Sequence, residues 1–360
     1  MGDADRSAGV EAGSPLAELD SQRAMMARLR GAPVVGWPVD ATTAPLIVDT
    51  DIGSDADDAL ALAAAAFEVP ELALVCTGDE TGPRAGGYGQ RARAARWLLD
   101  GCGRPEVPVA AGAALGDIDY FVLAGAVPEQ VRSGGGDVVA AVAALAARTE
   151  GPLRWVGLAP MSNLARVINE APQVARRLHV TQMGAAINYR SPQRAEHNVR
   201  LDVDAARVVL DAAQAGRLAG LELVISDVTF TDQIAIGADH PLCRRFDEDP
   251  APWAQMLAVS LHRWFAHPRG YDHSMQHDAL TLSAALELPF VESSPAQVAF
   301  DPIGRLVETA PRASGAGSGA VWVSRRADYP AFMGWLERTL THDHVAAAMP
   351  RLTGARAGGA

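Results

Sequence analysis

Short apolar runs alternate with helical stretches from residue 45 onwards, and this alternation restricts the fold more than any other feature of the chain. A first run at 46–48 is followed by a helical stretch at 57–67 and a second run at 72–75. Runs this continuously apolar are typical of strands buried on both faces of a parallel sheet, with helices as the crossovers. The rhythm continues through predicted strands at 107–109, 153–156, 180–183 and 221–225 and predicted helices at 91–99, 138–148 and 204–213. The sequence therefore predicts an α/β fold with an open, mostly parallel, Rossmann-like sheet flanked by helices.

The segment from Ala296 to Val323 has a different character. It contains two short apolar strands on either side of a Gly/Ser-rich loop at 314–319, and a final helical stretch follows at 329–340. Two strands joined in this way favour a hairpin. We therefore expect a small antiparallel addition near the C-terminus, closed by a last helix.

No internal repeat or long low-complexity linker divides the chain, so a single α/β domain is expected over residues 44–345. Residues 1–43 lack strand patterning, apart from a potential amphipathic helix at Leu16–Leu29, and are predicted to form a flexible N-terminal extension. Residues 346–360 are predicted to form a flexible tail.

Charge and composition exclude several classes of protein. The formal net charge is -12, which disfavours binding to the polyanionic backbone of nucleic acid. All 31 basic residues are arginine, and the absence of lysine excludes a P-loop nucleotide hydrolase and a Schiff-base enzyme. The three cysteines have no C-x-x-C spacing, and neither a secretory signal nor a membrane span is evident. We therefore expect a cytoplasmic protein with a small-molecule ligand, and neither nucleic acid nor a membrane as partner.

Five aspartates lie within ten residues, where the first predicted strand ends and the first helix begins: Asp49, Asp51, Asp55, Asp57 and Asp58. Open α/β sheets bind ligands beyond the carboxyl ends of their strands. Like charges this close repel one another unless a hard cation gathers them, and oxygen ligands point to calcium or magnesium. Alternatively, the last three aspartates cap the helix and favour its dipole. An EF-hand does not fit, because neither register places glycine at its sixth position or glutamate at its last.

A strand followed by D-x-D also suits an aspartyl-phosphate phosphatase, in which the first aspartate attacks phosphorus and the second serves as acid and base. Such enzymes commonly steady the phosphoryl charge with a lysine, and this chain has none. A metal-dependent phosphohydrolase stays open as a weaker alternative, with an arginine in that role.

Four short motifs follow one another along the chain. D-T-D-I-G and then D-D-A occupy 49–59, with two more residues before D-D than the commonest form of this motif. G-L-A-P-M-S-N-L-A lies at 157–165, A-E-H-N at 195–198 and H-D-A-L at 277–280. Together they resemble the inosine-uridine preferring nucleoside hydrolases, which are calcium-dependent nucleoside N-ribohydrolases. The resemblance covers 45–345 and implies hydrolysis of ribonucleosides, or of modified or 5′-substituted nucleosides, to free base and ribose.

The resemblance implies a calcium site and two catalytic residues. Asp51, Asp58 and Asp278 would hold Ca²⁺ together with the backbone carbonyl of Leu158. Asp51 would also accept a proton from a calcium-bound water, because calcium acidifies water less than zinc does. His277 would face the leaving base as its acid, since histidine is a natural proton donor near neutral pH.

The resemblance also implies a set of ribose-binding residues. Asp57, Glu196 and Asn198 would bind the ribose hydroxyls, and Met183 would line the sugar pocket. Asp79 stands where the family often has an asparagine. Judged without the resemblance, Met183 would be an ordinary core residue, and Glu196 and Asn198 would anchor a loop.

Two departures from the family pattern bear on the substrate. Arg190 stands where an asparagine would help to hold the ribose 5′-hydroxyl, and an arginine could instead meet a 5′-phosphate or another acidic substituent. The loop at 112–120 does not match the family's glycine-rich, histidine-containing segment, which helps to cover the base. A non-catalytic, calcium-dependent binder of ribosyl ligands therefore stays open. The resemblance further implies a homodimer or homotetramer.

Overall fold

The computed structural model describes residues 43–82, 86–118, 121–132, 136–268, 271–309 and 321–341. The predicted N-terminal extension up to residue 42 with its helix, the Gly/Ser-rich loop at 314–319 and the tail lie outside the described residues. The division into an extension, one domain and a tail therefore stays a prediction.

The described strands form one large sheet and two small ones. They are β1 (Leu46–Thr50), β2 (Leu72–Thr81), β3 (Val109–Ile118), β4 (Leu153–Gly157), β5 (Leu178–Met183), β6 (Gly220–Val224), β7 (Ala235–Gly237), β8 (His273–Met275), β9 (Val291–Ala296), β10 (Val298–Phe300), β11 (Leu306–Glu308) and β12 (Val321–Ala327). The large sheet has the order β3-β2-β1-β4-β5-β6-β12-β9. Its neighbours pair in parallel from β3 to β12, and the edge strand β9 is antiparallel. The predicted open, mostly parallel sheet is confirmed.

Helices cover both faces of this sheet. They are α1 (Asp57–Glu68), α2 (Gln90–Gly101), α3 (Val138–Ala147), α4 (Ser162–Glu170), α5 (Pro172–Ala175), α6 (His197–Leu201), α7 (Val203–Gln214), α8 (Ser226–Thr229), α9 (Pro241–Glu248), α10 (Pro252–Ala266), α11 (His277–Ala285) and α12 (Tyr329–Thr341). In the part of the chain that the structure describes, no helix combines the length and the apolar character needed to cross a membrane.

Strand β1 shows why the apolar runs form a buried sheet. All five of its residues are buried. Leu46 and Val48 pack in a core with α1, α2, α10, α11 and α12, whereas Ile47 packs in a second core with α3, α4 and α7. Successive side chains of a strand point to opposite faces, so a strand covered on both sides is apolar along the run that packs between the layers, here 46–48. Each such side chain contributes about 1.5–3 kcal/mol through burial.

The strand order reverses next to β1, and this positions the ligand site. The chain passes from β1 to β2 and β3 on one side, and β4 then pairs with the other side of β1, with Asp49 opposite Gly157. The backbone N–H of Leu158 donates to the carbonyl oxygen of Asp49 at 2.7 Å. Open α/β sheets form a ligand crevice at such a switch point. The aspartate-rich loop after β1 and the turn after β4 therefore meet at one edge.

The C-terminal region contains the expected antiparallel pairing in a different arrangement. The strands β10 and β11 form the small antiparallel hairpin. The strand β12, which follows the 314–319 loop, instead joins the large sheet, parallel to β6 and antiparallel to β9. Its register sets Val321 opposite Leu221, a pairing one hundred residues apart that a local pattern does not reveal.

Candidate active site

A cavity of about 290 Å³ opens at the carboxyl ends of β1, β4 and β5. This volume lies near the lower end of the range for small-molecule pockets, which suits a ligand of the size of a nucleoside. Ten of the sequence-predicted site residues line it: Asp51, Asp57, Asp58, Leu158, Met183, Arg190, Glu196, Asn198, His277 and Asp278. The fold thus brings together residues from five separate segments of the chain.

Four buried aspartates form the inner part of the cavity, and we call them the acidic floor: Asp51, Asp57, Asp58 and Asp278. They are 4–7% exposed. Carboxylate oxygens of Asp57, Asp58 and Asp278 lie within 4.8 Å of one another. Burial raises the pKa of Asp57 and of Asp278 well above the usual carboxyl range, and the charges of neighbouring aspartates raise it further. These three carboxylates therefore form a group that a cation could neutralise.

Asp51 belongs to the acidic floor but has different immediate neighbours. Its backbone N–H donates to Asp58 Oδ1 at 3.2 Å. Its carboxylate lies within 4.8 Å of ligand atoms of Glu80 and His197. Burial is the largest cause that raises the pKa of Asp51, and the negative charges of Asp58 and Glu80 raise it further. The predicted ligands Asp51, Asp58 and Asp278 thus line one cavity, but the carboxylates that lie within 4.8 Å of one another are those of Asp57, Asp58 and Asp278.

The loop between β1 and α1, with its two additional residues, is held by specific contacts. The fully buried guanidinium of Arg91 donates to the Ile52 carbonyl at 3.2 Å and to Ser54 Oγ at 3.0 Å. Ser274 Oγ donates to Asp55 Oδ1 at 2.5 Å. Gly53 has φ +113°, and a Cβ there would lie 2.1 Å from the ring of Phe121. The loop therefore has one defined path, and Asp55 is occupied in fixing it.

The turn after β4 presents the backbone carbonyl that the resemblance assigns to the metal. Asn198 Nδ2 donates to the Leu158 carbonyl oxygen at 2.7 Å. Asn163 Nδ2 donates to Asp49 Oδ1 at 2.8 Å, and its own Oδ1 accepts from the N–H of Ala113 at 2.8 Å. A carbonyl oxygen has two lone pairs, so Leu158 can accept from Asn198 and still offer an electron pair to a cation.

Glu196 both lines the cavity and caps α6. Its carboxylate accepts from the N–H groups of Asn198 at 3.1 Å, Val199 at 3.3 Å and Ala185 at 3.0 Å. Asn198 Nδ2 also approaches Met183 Sδ at 3.5 Å. The predicted ribose-binding residues Glu196, Asn198 and Met183 therefore form one connected group beside the Leu158 turn.

His277 begins α11, directly before Asp278. Its Nδ1 lies 2.9 Å from Thr229 Oγ1, and its ring stacks on Phe230 at 6.0 Å between centroids. Burial lowers the pKa of His277 to about 4, and the nearby charge of Arg190 contributes in the same direction. The imidazole is therefore neutral near pH 7. If Thr229 donates to Nδ1, the ring proton resides on Nε2.

Asp79 is the predicted site residue that does not line the cavity among the described residues. It is 1% exposed. Its Oδ1 accepts from the N–H of Thr81 at 3.0 Å, and its Oδ2 accepts from the N–H of Gly89, next to the start of α2. This carboxylate therefore holds the end of β2 against the turn that leads into α2.

Several cavity residues were not predicted from the sequence. Tyr189, Phe230, Trp264 and Tyr271 supply aromatic walls, and Arg194, Arg200 and His273 also line the cavity. Glu80 and Arg91 pair behind Asp51 at 3.4 Å. Glu80 lies next to the end of β2, beyond the predicted strand at 72–75, so the local pattern did not indicate it.

Comparison with protein families matches residues 46–334 to the family described as inosine-uridine preferring nucleoside hydrolase. The chain belongs to this family. It is therefore an enzyme of the nucleoside hydrolase class, and the resemblance carried by the four motifs is confirmed. The matched span contains every element from β1 to the first turns of α12.

Relatives and solved structures agree with this assignment. The pyrimidine-specific ribonucleoside hydrolase RihA of Salmonella paratyphi C is 26% identical over 261 residues, which is 68% of this nucleoside hydrolase and 79% of that protein. A purine-preferring ribonucleoside hydrolase from Gardnerella vaginalis superposes with a TM-score of 0.66 at 21% identity, covering 82% of this chain and 98% of that one. The plant nucleoside hydrolase PpNRh1 superposes with a TM-score of 0.66 at 20% identity, covering 83% of this chain and 99% of that one. The two structures confirm the fold.

Proposed function

We propose that this nucleoside hydrolase cleaves the N-glycosidic bond of ribonucleosides to free base and ribose, with Asp51 as the base that activates water. The observation that carries the proposal is that one cavity holds the acidic floor, a group of ribose-binding candidates and His277. Two of its relatives, the pyrimidine-specific RihA and the purine-preferring enzyme of Gardnerella vaginalis, are ribonucleoside hydrolases.

The residues present fit a calcium ion. Asp51, Asp58, Asp278 and the Leu158 carbonyl would hold it, and this donor set consists of oxygen atoms, which calcium prefers. Buried carboxylates that repel one another gain from a hard cation. The guanidinium of Arg91 lies 3.4 Å from Glu80 and already compensates the group behind Asp51, which favours a cation on the side of Asp58 and Asp278. When bound, calcium would lower the pKa of a water molecule and offset the negative charge of the floor.

The side chains then supply the remaining steps. Asp51 accepts a proton from the attacking water. Cleavage of an N-glycosidic bond passes through a ribosyl cation of oxocarbenium character, which nearby carboxylates stabilise electrostatically. Asp57, Glu196 and Asn198 orient the ribose through its hydroxyl groups, and Met183 packs against the sugar.

We further propose that His277 acts as a neutral hydrogen-bond donor to the departing base. Its lowered pKa of about 4 means that it carries no extra proton at neutral pH. An Nε2–H group can still stabilise negative charge that develops on the base. This refines the expected role of His277 as an acid.

Replacing His277 by Phe is expected to lower kcat on ordinary nucleosides by roughly 10²-fold, the typical effect of one preorganised donor. A nitrophenyl riboside, whose leaving group needs no such help, should lose far less. The ratio of wild-type to variant kcat should stay constant between about pH 6 and 8, since the histidine does not titrate there. His273→Phe changes the neighbouring cavity histidine and serves as control. An equal loss on both substrates would contradict the donor role.

The direct test of the proposed function is a reducing-sugar assay on the purified chain with purine and pyrimidine ribonucleosides. We expect ribose release that depends on calcium, disappears after EDTA treatment and returns when calcium is added. Binding of ribose analogues without release from any substrate would contradict hydrolysis and support the non-catalytic binder. The homo-oligomeric state and the cytoplasmic location remain predictions, and size-exclusion chromatography with light scattering would measure the former.

A further inference from the structure

Three arginines line the outer part of the cavity, and we call them the arginine rim: Arg190, Arg194 and Arg200. Arg190 and Arg194 are exposed and Arg200 is half-buried, whereas the acidic floor is buried. All three belong to the segment between β5 and the end of α6. The cavity is therefore bipolar, with negative charge inside and positive charge at its mouth.

The arginine rim has no carboxylate partner among the described residues. Arg200 donates to the Ala195 carbonyl at 3.1 Å and contacts His197 Nδ1 at 3.1 Å. Arg190 is in contact with aromatic rings alone, and the side chain of Arg194 is without a hydrogen bond within the described part of the chain. The chain has 43 acidic residues against 31 arginines, so acidic partners are abundant. Three arginines that line one cavity without an acidic partner indicate a place for an external anion.

Arg190 is held in position by its two aromatic neighbours. Its guanidinium carbon lies 4.7 Å from the ring centroid of Tyr189 and 4.2 Å from that of Phe230. Stacking fixes the plane of a guanidinium and leaves its N–H edge free for two parallel hydrogen bonds. A planar fork of this kind matches the oxygens of a phosphoryl group better than a neutral hydroxyl.

The shape of a riboside connects the floor with the rim. Its 2′- and 3′-hydroxyls lie on one face of the sugar, and the base and the 5′-carbon project from the other. If the hydroxyls meet Asp57 of the acidic floor, as in the proposed function, the base and the 5′-carbon project away from the floor, towards the outer part of the cavity where the arginine rim lies. An anionic group on that oxygen would be close to the three arginines and away from the aspartates.

We propose that the arginine rim is a subsite for a phosphoryl group on the 5′-oxygen, so that the preferred substrates are 5′-phosphorylated ribosides; this rests on the proposed function for the orientation of the sugar. A neutral 5′-hydroxyl would leave the positive charges of the three arginines without an anionic partner. A carboxylate on the base is the other source of an anion here, and the test separates the two.

Binding is measured first, because it does not depend on turnover. In the calcium-loaded full chain, ribose 5-phosphate is expected to bind at least about tenfold more tightly than ribose, the effect of hydrogen bonds to a charged group. The double variant R190Q/R194Q should remove this advantage, and added salt should weaken it. Arg244→Gln, an exposed arginine on α9 that does not line the cavity, is the matched control and should retain it.

Turnover is compared as a ratio. We compare the kcat/KM for a nucleoside 5′-monophosphate with that for the same nucleoside. The ratio should be about ten or more in the wild type and should fall in R190Q/R194Q. Equal binding of ribose and ribose 5-phosphate would overturn the inference, even if nucleosides are hydrolysed. Preference for a nucleoside with a carboxylated base over a 5′-monophosphate would also overturn it. Tight, rim-dependent binding of ribose 5-phosphate without any hydrolysis would support the subsite and refute the hydrolase proposal instead.

Discussion

Asp51→Asn is expected to lower kcat by roughly 10²–10⁴-fold, the range over which a positioned proton-transfer group acts. The substitution keeps the shape of the side chain and removes its ability to take a proton from water. Asp51 is 7% exposed and lines the cavity, so its carboxylate can be reached by a ligand in the cavity. The measurement is steady-state release of reducing sugar at saturating calcium, because Asp51 is also a proposed calcium ligand.

Asp55→Asn is the matched control for this variant. Asp55 lies on the same loop and lines the same cavity, but its carboxylate accepts from Ser274 Oγ at 2.5 Å and from the N–H of Ala56 at 2.6 Å. An asparagine oxygen can accept both hydrogen bonds, so we expect kcat to change by less than about tenfold. Full turnover by Asp51→Asn at saturating calcium would rule out Asp51 as the base.

The parts of the fold that local sequence specifies were predicted well. The apolar run at 46–48 and the aspartates that follow it predicted both β1 and the edge at which the acidic floor forms. Buried parallel strands have to be apolar on both faces, so their sequences are recognisable without knowledge of their partners. The four motifs also singled out Asp58 and Asp278, whose carboxylates lie within 4.8 Å of each other and of Asp57, whereas the carboxylate of Asp51 groups with Glu80 and His197.

Features that depend on distant pairings were not predicted. Arg91 belongs to an arginine-rich helix, R-A-R-A-A-R, which as a sequence indicates a solvated surface, yet its guanidinium is fully buried against Glu80 and the loop after β1. The helices α9 and α10 are absent from the predicted elements as well. The arginine rim also became visible only in three dimensions, because the absence of carboxylate partners around Arg194 is a property of the folded surface.

Asp278→Asn is expected to change stability in opposite directions with and without calcium. In the calcium-free protein, burial and the charges of Asp57, Asp58 and Asp51 raise the pKa of Asp278. The folded state then binds protons more tightly than the unfolded state, so this group costs stability as the pH rises above the ordinary carboxyl range. Asparagine resembles the protonated acid and can donate to Asp58 in the same way.

The variant should therefore melt roughly 2–4 °C higher than the wild type without calcium, with a larger difference at about pH 8 than at about pH 5. Calcium should raise the Tm of the wild type strongly and that of the variant little. Loss of a residue that only hydrogen-bonds to a metal ligand typically weakens metal binding by about 10–100-fold, and loss of a ligand itself should weaken calcium binding by more. Scanning calorimetry with EDTA or calcium measures both effects. Asp211→Asn, an exposed position on α7, should change neither. A calcium-free variant that melts below the wild type would show that the acidic floor is not destabilised by its own charge. A variant that calcium stabilises as much as the wild type would show that Asp278 is not a ligand.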